Sequence, residues 1–276
     1  MKRIMCFPTV LILITVIIMS LFGCANSESE FDAQNDEARI ANSESEFDAQ
    51  NDEAPIANRE YEFEVQNDEA RITKYKGQSI DVSIPAQING YPVTAIGTNA
   101  FKATEYVEFL FDTVGTRPTV CERIESVIIP DGVTVIGNSA FNGCINLTSV
   151  YIPESVTVIS TGAFEGCVSL SSIALPKSMT WIGSDAFKGC EKLQNITIPA
   201  GITEINANVF RNCISLQSIT MPDSVTAIKR SAFFGCKSLT NISIPDSVKT
   251  IEQNSFQGTP WAETDDYREQ MKRVDQ

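Results

Sequence analysis

Cysteines, carboxylates and lysines are the chemically versatile side chains of this 276-residue sequence, because histidine is absent. Without histidine there is no Ser-His-Asp or Cys-His pair, no imidazole metal ligand and no general base titrating near neutral pH. The chain reads as a non-enzyme with no cofactor and no metal. Of its eight cysteines, Cys121, Cys144, Cys167, Cys190, Cys213 and Cys236 follow one another at intervals of 23 residues. No Cys-x-x-Cys spacing occurs, so a zinc site lacks support. If equivalent positions stack about 5 Å apart, pairing of neighbours is geometrically open, and export would permit oxidation. An inward cysteine also packs well as a small hydrophobe. We expect the second arrangement, a column of buried free thiols.

The other two cysteines lie near the N-terminus. Lys2 and Arg3 precede an apolar run from Phe7 to Phe22. A basic n-region before an apolar h-region marks export, and Cys6 should be lost with it. The run ends in Leu21-Phe22-Gly23-Cys24, which resembles the lipobox of bacterial lipoproteins, although Phe22 is bulkier than the small residue usual there. The resemblance implies that residues 1–24 are a lipoprotein signal peptide and that Cys24 is lipidated. Multiple acyl chains would then anchor the protein stably, where one chain binds only marginally. An uncleaved membrane anchor is the alternative. Both place the rest of the chain outside the cytoplasm.

The net charge of −14 is uneven. Residues 25–70 hold 15 acidic and 2 basic residues, giving −13, whereas residues 71–276 hold 20 and 17, giving −3. The folded part therefore has no excess of basic charge, which speaks against a nucleic-acid partner. Residues 25–72 are three copies of a 16-residue unit, beginning at Ala25, Ala41 and Ala57. The first two are rich in Glu and Asp and poor in apolar residues. Such a chain cannot offset the entropy of ordering, so residues 25–58 should form a disordered acidic stalk. The third copy contains Tyr61-Glu62-Phe63-Glu64-Val65, with apolar residues at alternate positions. That alternation predicts a half-buried strand, with a turn at Asn67-Asp68 and a return strand through Ala70, Ile72 and Tyr75.

The elements that position the cysteine column repeat with it. Prolines recur at Pro130, Pro153, Pro176, Pro199, Pro222 and Pro245, and phenylalanines at Phe141, Phe164, Phe187, Phe210, Phe233 and Phe256. Leucines recur at Leu147, Leu170, Leu193, Leu216 and Leu239. A fixed period of this length predicts a solenoid. In one unit, Val150 and Ile152 alternate with Ser149 and Tyr151, a short strand that Pro153 ends by withholding a donor. Val156 to Ile159 form a second extended piece. Gly162-Ala163-Phe164-Glu165-Gly166-Cys167 suits a helical turn closed by a left-handed glycine. No unit is large enough to fold alone, so coils must stack and the ends need caps.

The string Ile129-Pro130 through Val133-Thr134, Ile136-Gly137, Ala140-Phe141, Gly143-Cys144 and Leu147 resembles the BspA-type leucine-rich repeat of bacterial surface proteins. The resemblance implies a β-rich leucine-rich-repeat solenoid: a right-handed superhelix of 23-residue coils with short helical turns, an N-terminal β-hairpin cap and a C-terminal capping helix. The solenoid is expected over residues 59–259, with an insertion near 103–119, and the capping helix over 260–276. Family members serve in adhesion and surface display, which implies a protein ligand outside the cell.

Candidate contact residues follow from the outward positions. The residue between Thr and Ile of the second extended piece gives Val135, Val158 and Trp181 as a contiguous apolar strip. Tyr151 is the aromatic in the outward columns of the first strand, and aromatics tend to dominate interfaces. The insertion adds Phe109 and Phe111. For both the strip and the insertion, packing against the flank is the expected reading and a binding role the alternative. Functionally, the expected reading is a lipid-anchored binding module at the cell surface; the alternative is a passive structural or cell-contact protein without a defined ligand.

Overall fold

The computed structural model describes residues 59–102, 120–240 and 242–274. The expected signal peptide with Cys24, the acidic stalk, and the insertion with Phe109 and Phe111 lie outside these residues.

The chain enters through a hairpin of β1 (Tyr61–Gln66) and β2 (Glu69–Tyr75). Asn67 and Asp68 both adopt left-handed backbone, φ 53° and 60°, which matches the right-handed twist of the two strands. The expected alternation of β1 holds only at its start: Tyr61 is buried, Phe63 is half-buried and Val65 is exposed. Phe63 and Val65 pair with the buried Ile72 and Ala70 and so share their face, but β1 is the edge strand of its sheet, with no neighbouring strand beyond it to cover them. The buried side of the hairpin is carried by Ala70, Ile72 and Tyr75.

Two strand positions per coil then build two faces. The first face contains β3 (Asp81–Ser83), β6 (Ser126–Ile128) and β8 (Ser149–Tyr151) in parallel register, and further along β11 (Asn195–Thr197) and β13 (Ser218–Thr220). β4 (Gln87–Ile88) folds back on β5 (Tyr91–Ile96) as a small hairpin. The second face runs from β2 through β5 to β7 (Val135–Ile136), β9 (Val158–Ile159) and β10 (Trp181–Ile182). It resumes as β12 (Glu204–Ile205), β14 (Ala227–Ile228) and β15 (Thr250–Ile251). Between β10 and β12 the Asn206 side-chain Nδ2 donates to Ile182 O at 2.6 Å. Preceding coils have Gly137, Ser160 and Gly183 at that position, and the larger side chain here takes over a bond to the neighbouring coil.

The third side is made of successive i to i+3 turns. Ala140 N donates to Gly137 O and Cys144 N to Phe141 O, while Phe141 N donates sideways to Ala163 O of the next coil at 2.8 Å. Gly143, Gly166 and Gly189 sit at φ 77°, 74° and 73°. Asn212 holds the same left-handed place at φ 59°, as Asn can where a Cβ is otherwise unwelcome.

The interior is a set of parallel side-chain columns. Phe101, Phe141, Phe164, Phe187, Phe210, Phe233 and Phe256 stack with ring centroids 4.8–5.7 Å apart. Tyr75 closes this stack at one end, 5.1 Å from Phe101, and Trp261 closes it at the other, 4.8 Å edge-on from Phe256. A 3-10 turn, Pro260–Glu263, and a helix, α2 (Asp265–Val274), finish the chain. The one-turn helix α1 (Val120–Arg123) returns the chain from the insertion.

The cysteine column departs from expectation at its head. Cys167, Cys190, Cys213 and Cys236 are buried free thiols, but Cys121 and Cys144 form a disulfide with Cα atoms 4.7 Å apart. The uniform thiol column is thus corrected for this first pair. Cys121 sits on α1 instead of the regular turn of the later coils, and its sulfur faces the next one.

Candidate functional site

Parallel pairing puts the outward residues of the second face in one file. Ala95 pairs with Val135, Val135 with Val158, and Val158 with Trp181. The expected strip is therefore contiguous. It is less uniformly exposed than its residue types suggested. Ala95 is buried, Val135 and Val158 are half-buried, and Trp181 stands 49 % exposed. In-file neighbours lie about 4.8 Å apart, so short branched side chains shade one another while the indole projects beyond them. At the far end the file turns polar: Lys229 bridges Glu204 at 3.3 Å and Glu252 at 3.7 Å.

The flanking threonines make this face more apolar than it reads. Thr134, Thr157 and Thr180 hydroxyls donate to Thr94 O, Thr134 O and Thr157 O at 3.2, 3.4 and 3.3 Å. Their donors are already engaged by backbone. Covering this surface would therefore strip little water from unsatisfied polar groups, the main cost of burying polar surface.

Tyr151 lies on the first face and does not join the strip. It pairs with Ile128, and the two are 59 % and 52 % exposed. Ile128 occupies the same outward position one coil earlier, where an isolated aliphatic carries little signal until its aromatic neighbour is placed beside it. Val135, Val158 and Trp181 come together; Tyr151 forms a separate small patch.

Some charged residues near the turns are tied to one another. Lys188 contacts Glu165 at 2.8 Å and Asp185 at 3.4 Å, and the hydrogen bond it donates to Glu165 is foremost in raising the ammonium above its ordinary value. Among the described residues no group of three or more Cys, Asp or Glu is placed to hold a metal ion. No described helix is long and apolar enough to cross a membrane.

Burial pushes the Cys167 and Cys236 thiols up from about 9 to about 12, and raises Cys190 and Cys213 well above 9. Burial likewise raises the Tyr61 and Tyr75 phenols above their usual 10. Each raised acid binds its proton more tightly folded than unfolded. The sign is then fixed: the stability it contributes is complete below its unfolded value and is lost as pH rises toward the folded one. Urea midpoints should stay level up to about pH 9 and fall between about pH 9 and pH 12. A midpoint unchanged at about pH 10.5 would contradict this burial.

A profile for the BspA type leucine rich repeat region matches six copies over residues 119–237 and 203–276. The chain belongs to the BspA-type leucine-rich-repeat family. Solved structures extend this beyond the repeat. A leucine-rich repeat protein from T. pallidum is 29 % identical with a TM-score of 0.69, over 78 % of this chain and 94 % of that one. A leucine-rich cell surface protein from Faecalibacterium prausnitzii is 38 % identical with a TM-score of 0.61, over 72 % of this chain and 50 % of that one. A leucine-rich repeat protein from Bacteroides ovatus is 27 % identical with a TM-score of 0.54, over 72 % and 55 %. The chain thus spans about half the length of the latter two proteins. No curated protein matches it. Within this chain the inward columns of Phe, Cys and Leu recur from coil to coil. Residues such as Trp181 stand outside that pattern and vary from coil to coil in this chain.

Proposed function

We propose that this chain is a protein-binding module displayed on the cell surface, anchored through a lipid on Cys24 and contacting its partner through Val135, Val158 and Trp181. The observation that carries the reading is the half-exposed Trp181 at the end of an apolar file whose flanking hydroxyls are internally bonded. Tryptophan in such a setting is the residue type most often found to dominate an interface. The BspA-type family and the cell-surface description of the F. prausnitzii relative support display outside the cell. Tyr151 supplies a secondary contact on the adjoining face, and Phe109 and Phe111 are further candidates from the insertion.

The test is a binding assay on immobilised extracellular-matrix and cell-surface proteins with the full chain. Trp181→Ala should weaken capture by about 30-fold or more, as loss of a hot spot of about 2 kcal/mol implies, with an unchanged circular dichroism spectrum. Equal capture by both proteins would reject the strip. The passive reading predicts no specific capture by either. Anchoring is tested separately. Cys24→Ser should abolish incorporation of labelled palmitate and move the protein from the membrane fraction to the medium; retention of label would remove Cys24 as the anchor.

A further inference from the structure

We infer that the six-cysteine column holds one fixed crosslink at its head, Cys121–Cys144, that cannot migrate, followed by four thiols kept reduced by the direction in which they point. Geometry is the basis. Cys167 Sγ donates to Phe141 O at 3.2 Å, Cys190 to Phe164 O at 3.3 Å, Cys213 to Phe187 O at 3.1 Å and Cys236 to Phe210 O at 3.0 Å. In every case the acceptor lies 26 residues back, in the preceding coil. All four thiols therefore turn the same way. Cys144 turns that way too, with Phe101 O 3.9 Å from its sulfur. Cys121 alone turns forward, its sulfur 3.7 Å from Asn142 O in the coil of Cys144.

A disulfide needs two sulfurs facing each other across the gap between their Cβ atoms. Cys121 and Cys144 face each other. Each later neighbour pair has one sulfur turned toward its partner and the partner turned away. Uniform repetition, which makes the column look ready to pair, is what prevents pairing. Cys121 escapes because it lies on α1, where the chain re-enters the solenoid from the insertion.

Exchange is blocked not by direction, since the Cys167 sulfur turns toward Cys144, but by burial and by the engagement of its S–H. Migration would require the Cys167 thiolate to attack Cys144 Sγ, forming a Cys144–Cys167 bond and releasing Cys121 as a thiolate that takes up the proton Cys167 gave. Cys167 is fully buried and its S–H is engaged by Phe141 O. Burial also holds its thiol up to about 12, so the thiolate that performs such attack is scarce at neutral pH. The crosslink therefore ties α1 to the first regular coil and stays there.

Sequential isotopic alkylation of the full chain tests this, mapped residue by residue by mass spectrometry. A first reagent labels the native protein after treatment with the thiol oxidant diamide, a second labels it after denaturation without reductant, and a third after reduction. Cys167, Cys190, Cys213 and Cys236 should take the second label, and Cys121 and Cys144 the third. A native label on any of the four, or third label on them, overturns the inference. Cys121→Ser gives the sharper arm. Cys144 then keeps its backward orientation and should join the others as a fifth sealed thiol; a Cys144–Cys167 disulfide in that variant overturns the claim of direction. Because only α1 loses its tie, the circular dichroism of the variant should match the parent, which shows that any change in labelling is not unfolding.

Discussion

Phe187→Ala is expected to destabilise the solenoid by about 3–5 kcal/mol, the range for emptying a buried aromatic site. The ring is fully buried and lies between Phe164 and Phe210, 5.5 and 5.7 Å away and within 1° and 4° of parallel. Stacked pairs contribute beyond their buried area by about 0.5–1.5 kcal/mol, and this residue takes part in two. Collapse around the cavity is restricted, because the flanking coils are held by Phe164 N to Ala186 O at 2.8 Å and Phe187 N to Val209 O at 3.0 Å. The coils cannot close the gap without breaking those bonds. In a quasi-one-dimensional array each coil is stabilised mainly by its neighbours, so a central cavity also uncouples the two halves. Urea unfolding should show a lower midpoint and a broader transition. Phe187→Leu, which keeps much of the volume, should cost clearly less. A loss below about 1 kcal/mol for the alanine variant would mean that the phenylalanine column is not the core.

The period of the columns was legible because each column has a single job repeated in every coil. An inward phenylalanine must meet a phenylalanine above and below, so chemistry and spacing agree, and all six from Phe141 to Phe256 are buried. What was not legible is whatever depends on the direction of a side chain within its coil. The sequence shows six equally spaced cysteines; that Cys121 turns forward and Cys144 backward follows from α1 replacing a regular turn. Likewise Val65 alternates correctly with Tyr61 and Phe63 in sequence and shares the face of buried Ala70, yet on the edge strand β1 it stays exposed. The strip shows both sides of the matter. Its membership is a consequence of register and was readable, whereas its exposure depends on how far each side chain reaches past its neighbours. Trp181 does so; Val135 and Val158 do so only in part.

Trp261→Ala is expected to cost about 3–5 kcal/mol as well, but the loss should be distributed differently. A terminal coil has a neighbour on one side only, so its stability rests on whatever covers its open face. Trp261 is that cover. It is 1 % exposed, stands edge-on to Phe256 at 4.8 Å and to Tyr267 at 5.2 Å, and its Nε1 donates to Asp266 Oδ2 at 2.8 Å. Its backbone N donates to Leu239 O at 3.1 Å, tying the cap to the preceding coil. Thr259 accepts from Ala262 N at 3.2 Å and Pro260 opens the turn, so the local sequence delivers the indole to its place. Removing the indole exposes Phe256 and detaches α2 through Tyr267. Hydrogen exchange should then rise across residues 242–274 while residues 126–170 keep their protection, because opening propagates inward from the free end and decays with each intact coil. Trp261→Phe should recover part of the protection, since it restores a ring against Phe256 but leaves Asp266 without its donor. Exchange rising evenly along the whole chain would show that the solenoid unfolds as one unit and that the cap guards no particular end.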